Sequence, residues 1–434
     1  MIEPLERRTA AAPRGGGYSW YVVLILALTY GCHSMDRSLP GILIEPIKHE
    51  FSLSDGQLGL FSGLAYALAF SLVILPMGYI SDRLNRRNLL VGLLVAWSVA
   101  TALGGLTRSY VQLVLGRLGV GAAEAGAAPL ALPMISDLFP PSKRSFPLGL
   151  FYMSSPIGVL AASVVGGYVA AEHGWRTAFF LGGIPGLILA VLLLFTVREP
   201  KRGGAEVSQP EAAEPPAKLR ETFAYLTTSP ALICLASACA LLGLVNITMG
   251  AWMGSFFIRA HGLGLKEVGL ILGIGGGLCG MVATPTMGFL ADRLSLRDPR
   301  WSLRIVWIAS VLSLVFTMGM LFVPAVGFSI ALFVLADLTR QGFPAPIFAV
   351  VMANTPVRMR GTMMSIVQLV TSVVGFGLGP LVTGLLSDFY GGGVGIRYAL
   401  ADSALAFVII IVLLWLTNRL LHGRGAQPKD RPHG

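Results

Sequence analysis

The sequence predicts an all-α membrane protein of twelve transmembrane helices in two pseudo-symmetric six-helix bundles. Three observations predict it. Of 434 residues, 54% are hydrophobic and only 12% charged, with 53 glycines and a mean hydropathy of +0.73, a composition outside the water-soluble range. Apolar runs of roughly 20 residues, the length that crosses a hydrocarbon core as a helix, repeat from Tyr18 to Leu421. The stretch Gly78-Tyr79-Ile80-Ser81-Asp82-Arg83-Leu84-Asn85-Arg86-Arg87 returns in shorter form as Gly288-Phe289-Leu290-Ala291-Asp292-Arg293, and each copy ends a long apolar segment.

Residues 1–17 form a basic cytoplasmic segment carrying Arg7, Arg8 and Arg14. The first span, 18–45, is long and is followed by no small-residue cleavage site, so it is expected to be a retained helix. Spans at 56–81, 88–107, 110–137, 145–171 and 176–197 complete the amino-terminal bundle (18–197). The segment 198–228, rich in Pro, Glu, Ala and Lys, then divides the chain as a cytoplasmic linker. The carboxyl-terminal bundle (229–421) is built from 229–258, 267–292, 302–323, 326–353, 361–388 and 396–421, and 422–434 is a cytoplasmic tail.

The net charge of +10 does not indicate nucleic acid, because the basic residues follow a membrane pattern. Of the 32 Lys and Arg, six (Lys48, Arg108, Arg176, Arg259, Lys266 and Arg397) fall in external loops and three (Arg37, Arg117 and Arg340) within spans. The other 23 lie on one side, which places both termini in the cytoplasm of a bacterial-type inner (plasma) membrane. Cys32, Cys234, Cys239 and Cys279 lie in apolar segments without metal-ligand spacing and read as free thiols.

A charge in mid-membrane costs about 2.5 to 3.5 kcal/mol on the lenient scale, so each should face a cavity or a partner. Six stand out: Asp36 and Arg37, Arg117 and Glu124, Asp337 and Arg340. Arg117 and Glu124 share a helix face but lie about 10 Å apart along its axis, so each needs a partner from another helix, with Asp36 and Arg37 the nearest supply. Asp337 and Arg340, three apart, can meet on one face. Glu124, and secondarily Asp36, are the candidate proton-exchanging groups, since cavity dehydration and a nearby arginine pull a carboxyl in opposite directions. His33, one turn before Arg37, is a weaker candidate. Arg37, Arg117 and Arg340 are the expected head-group contacts, because guanidinium binds phosphate or carboxylate through two donors; Asn246 and Gln368 add uncharged contacts. Gly78, Asp82, Arg83, Arg86 and Arg87, with Asp292 and Arg293, are the expected gate. Ser154-Ser155-Pro156-Ile157-Gly158, Gly166-Gly167, Gly273 to Gly280, and Gly375 to Gly384 mark helices that bend or pack closely.

With these residues placed, the chain resembles the major facilitator superfamily, and more narrowly its Spinster branch. Met35-Asp36-Arg37 resembles the branch's Asp-Arg signature, and residues 78–87 the superfamily's loop motif. Arg117-Leu118-Gly119-Val120-Gly121-Ala122-Ala123-Glu124-Ala125 is similar to the branch's fourth-helix pattern, with Ala123 where glycine is common. Phe151-Tyr152-Met153 through Gly158 and Trp175-Arg176 extend the match, whereas the carboxyl half matches at superfamily level and its loop lacks the closing arginine pair. The resemblance implies a central cavity worked by alternating access and a proton-linked cycle using Asp36, Arg37, Arg117 and Glu124. It implies as cargo an amphipathic anion of the lysophospholipid or sphingolipid kind, with a small organic acid as the alternative. No cofactor is expected beyond a proton gradient, and a single chain in the lipid bilayer is expected to suffice. An enzyme would need a nucleophile motif or a metal-spaced His cluster, and a channel would need repeated filter residues.

Overall fold

The computed structural model describes residues 16–81, 83–202 and 219–422. They are helical throughout, with no strand among them. Eleven helices are long and apolar enough to span a membrane. The first helix, α1 (Gly17–Phe51, 35 residues), makes a twelfth long segment, with His33, Asp36 and Arg37 in its middle. The others are α2, running in three stretches from Asp55 to Ser81, α3 (Arg86–Gly104), α4 (Tyr110–Leu138), α5 (Ser145–His173), α6 (Trp175–Thr196), α7 (Pro230–His261), α8 (Leu265–Ser295), α9 (Trp301–Phe322), α10 (Val326–Ala353), α11 (Val357–Phe389) and α12 (Gly395–His422). A short helix, Leu219–Thr228, precedes α7 and is pinned to the α10–α11 loop by Tyr225, whose hydroxyl donates to the Asn354 carbonyl at 3.1 Å.

The predicted spans match these helices closely, except that α1 continues six residues past position 45. Its end is set by Ser52, which sits in the left-handed region (φ 51°) and donates its N–H to the Lys48 carbonyl. A capping box follows at once: the Ser54 hydroxyl accepts from Gln57 N–H, and the Gln57 side chain accepts from Ser54 N–H. This tight turn starts α2 at Asp55.

Five spans are irregular where they meet the centre. α2, α8 and α11 carry π-helical stretches at Leu60–Leu64, Gly273–Cys279 and Val373–Leu378, a widening often found at functional sites. α4 breaks after Glu124 and resumes at Ala127. The pseudo-equivalent α10 breaks after Arg340 and resumes at Pro344, which lacks the N–H a continuous helix needs. In both bundles a membrane-buried charge therefore ends a half-helix.

The bundles meet along α1–α7, α2–α11 and α5–α8. One face, called the basic face, carries the arginine loops, the start of α1, the end of α6 and the short helix Leu219–Thr228. The largest apolar core runs from the carboxyl bundle into Leu39, Leu43, Ile47, Leu58 and Phe61 and joins the bundles at the opposite face. The rest of the amino bundle, around Leu94, Trp97, Leu130 and Leu193, forms a separate core. At the opposite face the bundles are joined by hydrogen bonds and ion pairs as well.

Small residues set the closeness of the seams, as expected where lipid offers helices no hydrophobic drive to associate. A Cβ added at Gly59 would lie 2.4 Å from the Pro380 carbonyl oxygen and 2.8 Å from the Leu381 Cα, both backbone atoms that cannot swing aside. Gly59→Val is therefore expected to spread the α2–α11 seam. Spin labels at Arg108 and Gly262 in a cysteine-free background should report a longer distance across the opposite face. An unchanged distance distribution would show that the seam can absorb a side chain.

Candidate functional site

Between the bundles lies a cavity of about 390 Å³, lined by α1, α2, α5, α7, α8, α10 and α11, within the size range of small-molecule sites. Arg37 enters it from α1. Its guanidinium stands 3.5 Å from the centre of the Phe376 ring and makes no hydrogen bond or ion pair with any described residue. Ile42, Val159, Ile247, Leu272, Phe333 and Phe376 supply apolar wall. Across the cavity, Arg340 is fully engaged: it pairs with Asp337, and its Nη1 donates to both the carbonyl oxygen and the Oδ1 of Asn246 at 2.8 and 2.5 Å. The i, i+3 spacing of Asp337 and Arg340 does make the pair that it suggests. Arg340 thus lines the cavity with its charge already paired, whereas Arg37 lines it without a polar partner.

Beside the cavity, the amino bundle gathers the other expected charges. Glu124, 1% exposed, accepts a hydrogen bond from the Tyr66 hydroxyl on Oε2 at 2.7 Å. His33 Nδ1 lies 3.1 Å from the same oxygen. Arg117 donates to the Asp36 carbonyl at 3.4 Å and stands over the Tyr66 ring at 5.1 Å. Glu124 Oε1, Asp36 Oδ1 and Arg117 Nε and Nη2 are buried without a hydrogen-bond partner in the protein. The structure thus brings Asp36, Arg117 and Glu124 together but forms no ion pair among them or between them and Arg37. The partners that Glu124 finds on other helices are Tyr66 and His33, not Asp36 or Arg37. Gln368 is exposed and lies outside the cavity lining. Gln341, at the α10 break, lines the cavity instead and donates to the Gly275 carbonyl in α8 at 2.8 Å.

A second charged cluster, unrecognised in the sequence, closes the opposite face. Arg259, near the end of α7, donates two parallel bonds to Asp55 at 2.7 and 2.8 Å and a third, from Nε, to Glu45 at 2.9 Å. Asp55 is fully buried; it also pairs with Lys48 and accepts from the Ser387 hydroxyl at 2.6 Å. The free N–H groups of Asp55 and Gly56 at the start of α2 donate to the two carboxylate oxygens of Asp388, at the end of α11, at 2.8 and 2.7 Å. Bidentate guanidinium–carboxylate geometry and a helix N-terminus holding an anion are both strong, directional contacts. Arg259 follows directly on the span expected at 229–258 and is therefore expected in an external loop. Its partners lie 204 and 214 residues away, a separation that no local pattern reveals.

The family model for the Major Facilitator Superfamily matches residues 26–303 and 278–432, nearly the whole chain. The chain belongs to the major facilitator superfamily. It is accordingly a multi-pass membrane transporter, not an enzyme. It is 32% identical over 377 residues, 85% of each chain, to an "MFS-type efflux pump" of Mycolicibacterium smegmatis (strain ATCC 700084 / mc(2)155). It is 30% identical over 266 residues to "Protein spinster homolog 1" of Rattus norvegicus, covering 60% of this chain and 49% of that one, so it spans about half the length of that relative. Among solved structures, a bacterial homolog of the human lysosomal transporter Spinster, in an inward-facing and unoccupied conformation, matches with a TM-score of 0.82 at 25% identity, over 93% of this chain and 98% of that one. The resemblance to the Spinster branch therefore holds in sequence and in fold.

The loop motif of this superfamily member can now be placed. Gly78 lies in the last turn of α2 and Asp82 outside the described residues. Arg86 pairs with Asp137 of α4 at 2.7 Å and with Glu199, just past α6, at 2.8 Å. Arg87 donates its N–H to Glu199 at 2.8 Å and its side chain to the Val197 carbonyl at 3.1 Å. Arg83 stacks on Tyr79 at 3.9 Å. The motif so clamps α2–α3 to α4 and α6 of its own bundle. The second copy is different: Asp292 and Arg293 are exposed and form no ion pair with a described residue. That copy lacks the two arginines which make the clamp in the first.

Proposed function

We propose that this transporter carries an amphipathic anion of the lysophospholipid or sphingolipid-like kind, by alternating access coupled to protons. The observation that carries the reading is Arg37, a guanidinium in the cavity with an aromatic face beneath it and no polar partner, set among apolar walls. Such a group supplies two donors to a phosphate or carboxylate, while the walls accept a chain. Glu124, Asp36 and Arg117 form the proton-exchanging group, Arg86 and Arg87 belong to the gate, and no cofactor takes part. The protein works as a single chain in a bacterial-type inner membrane with both termini in the cytoplasm. The arginine-rich loops support that orientation, and by it the present conformation faces inward.

A small organic acid would also satisfy Arg37, and about 390 Å³ holds one whole. Thermal-shift titration of the purified protein in detergent separates the two. A lysophospholipid should stabilise it at concentrations where carboxylic acids do not. Arg37→Ala should weaken that binding about 10- to 100-fold, the value of charged hydrogen bonds worth about 1.5–3 kcal/mol. Stabilisation by organic acids with none by the lysophospholipid would replace the lipid reading by the organic-acid one.

A further inference from the structure

The carboxylate of Glu124 does not stand alone. Its Oε2 receives the Tyr66 hydroxyl at 2.7 Å, so that oxygen is an acceptor, yet His33 Nδ1 lies 3.1 Å from it. Two bare acceptors at that distance would repel, so Nδ1 carries a hydrogen on the side of the carboxylate, although the two atoms form no well-aligned hydrogen bond in this conformation. The imidazole is held in place, 4% exposed, by the Tyr30 ring stacked on it at 5.2 Å, itself stacked on Phe151 at 4.4 Å. The titratable and charged groups around it are Tyr30, Cys32, Asp36 and Arg37 on its own helix, Tyr66 on α2, Arg117 and Glu124 on α4, and Tyr152 on α5. Of these only Glu124 touches its ring nitrogen.

We infer that His33 shares the proton step with Glu124: the transported proton passes between the Glu124 carboxylate and the His33 imidazole that stands 3.1 Å from it. The step is a proton transfer alone. The Nδ1–H bond breaks as a carboxyl O–H forms, or the reverse, with the charge of the pair unchanged; release of the proton leaves neutral imidazole beside carboxylate. This inference rests on the proton-coupled reading of Glu124 given above.

An imidazole in water releases its proton about two pH units above a carboxyl. His33→Gln keeps a hydrogen-bond donor to Glu124 but cannot titrate. In proteoliposomes, the pH midpoint of proton-driven transport in His33→Gln should therefore move toward acid by at least about one unit, with His33→Asn behaving alike. Both variants are to be checked for wild-type thermal midpoint and monodisperse elution. A midpoint equal to wild type in His33→Gln, while Glu124→Gln has lost proton-driven transport, overturns the inference and leaves the proposed function standing. Undiminished proton-driven transport by Glu124→Gln overturns both. If both His33 variants unfold, the imidazole is assigned to packing and the inference falls.

Discussion

Replacing Arg259 by alanine is expected to open the face opposite the basic loops and to halt turnover. In the present state Asp55 is fully buried and Glu45 is 5% exposed, and the Arg259 guanidinium bonds to both. Removing one partner of a buried pair leaves an uncompensated charge and typically costs about 3–5 kcal/mol. The cost falls only on the state in which the bundles touch there, because separating them returns both carboxylates to water. On a two-state equilibrium that is a shift of roughly two to three and a half orders of magnitude toward the opposite-face-open state. Spin labels at Arg108 and Gly262 should show the long distance as the dominant population, and transport should fall accordingly. Arg259→Lys should recover little, because a single ammonium cannot reproduce the fork. The exchanged pair Asp55→Arg with Arg259→Asp should recover part of the closed state, the coupling that a double-mutant cycle isolates. Unchanged label distances in Arg259→Ala would mean that apolar packing around Leu43, Ile47, Leu58 and Phe61 closes this face by itself.

Replacing Glu124 by glutamine is expected to reduce proton-driven accumulation to background. Glutamine matches the carboxyl in shape and can accept from Tyr66, so packing at the α4 break is kept, but it cannot take or release a proton. The carboxyl is buried beside Arg117 and His33 with one oxygen unpartnered. With an imposed pH gradient, wild-type proteoliposomes should accumulate substrate above its equilibrium level and the variant should not. Accumulation equal to wild type would exclude Glu124 from coupling.

Much of this site was legible before any coordinates. Charges inside apolar runs are expensive, so Asp36, Arg37, Arg117, Glu124, Asp337 and Arg340 announced themselves by cost alone, and all six are found at or beside the central cavity. The i, i+3 spacing of Asp337 and Arg340 also forecast their bond. What the spacing could not convey is allegiance. Arg37 and Arg340 look alike in sequence, yet Asp337 and Asn246 occupy one and leave the other free. Gln368 was read as a cavity residue and Gln341 was not, because the break in α10 turns the chain there.

The amino-acid sequence determined the membrane, the helix count and the identity of the intramembrane charges. Each follows from local quantities: run length against bilayer thickness, and the desolvation cost of a single side chain. Tertiary structure alone decided that Tyr66 and His33 meet Glu124, and that Arg259 with Asp55, Glu45 and Asp388 closes one face. Those contacts join helices more than fifty to more than three hundred residues apart in the chain. Their energy comes from mutual geometry at short range, which exists only once the bundles are assembled.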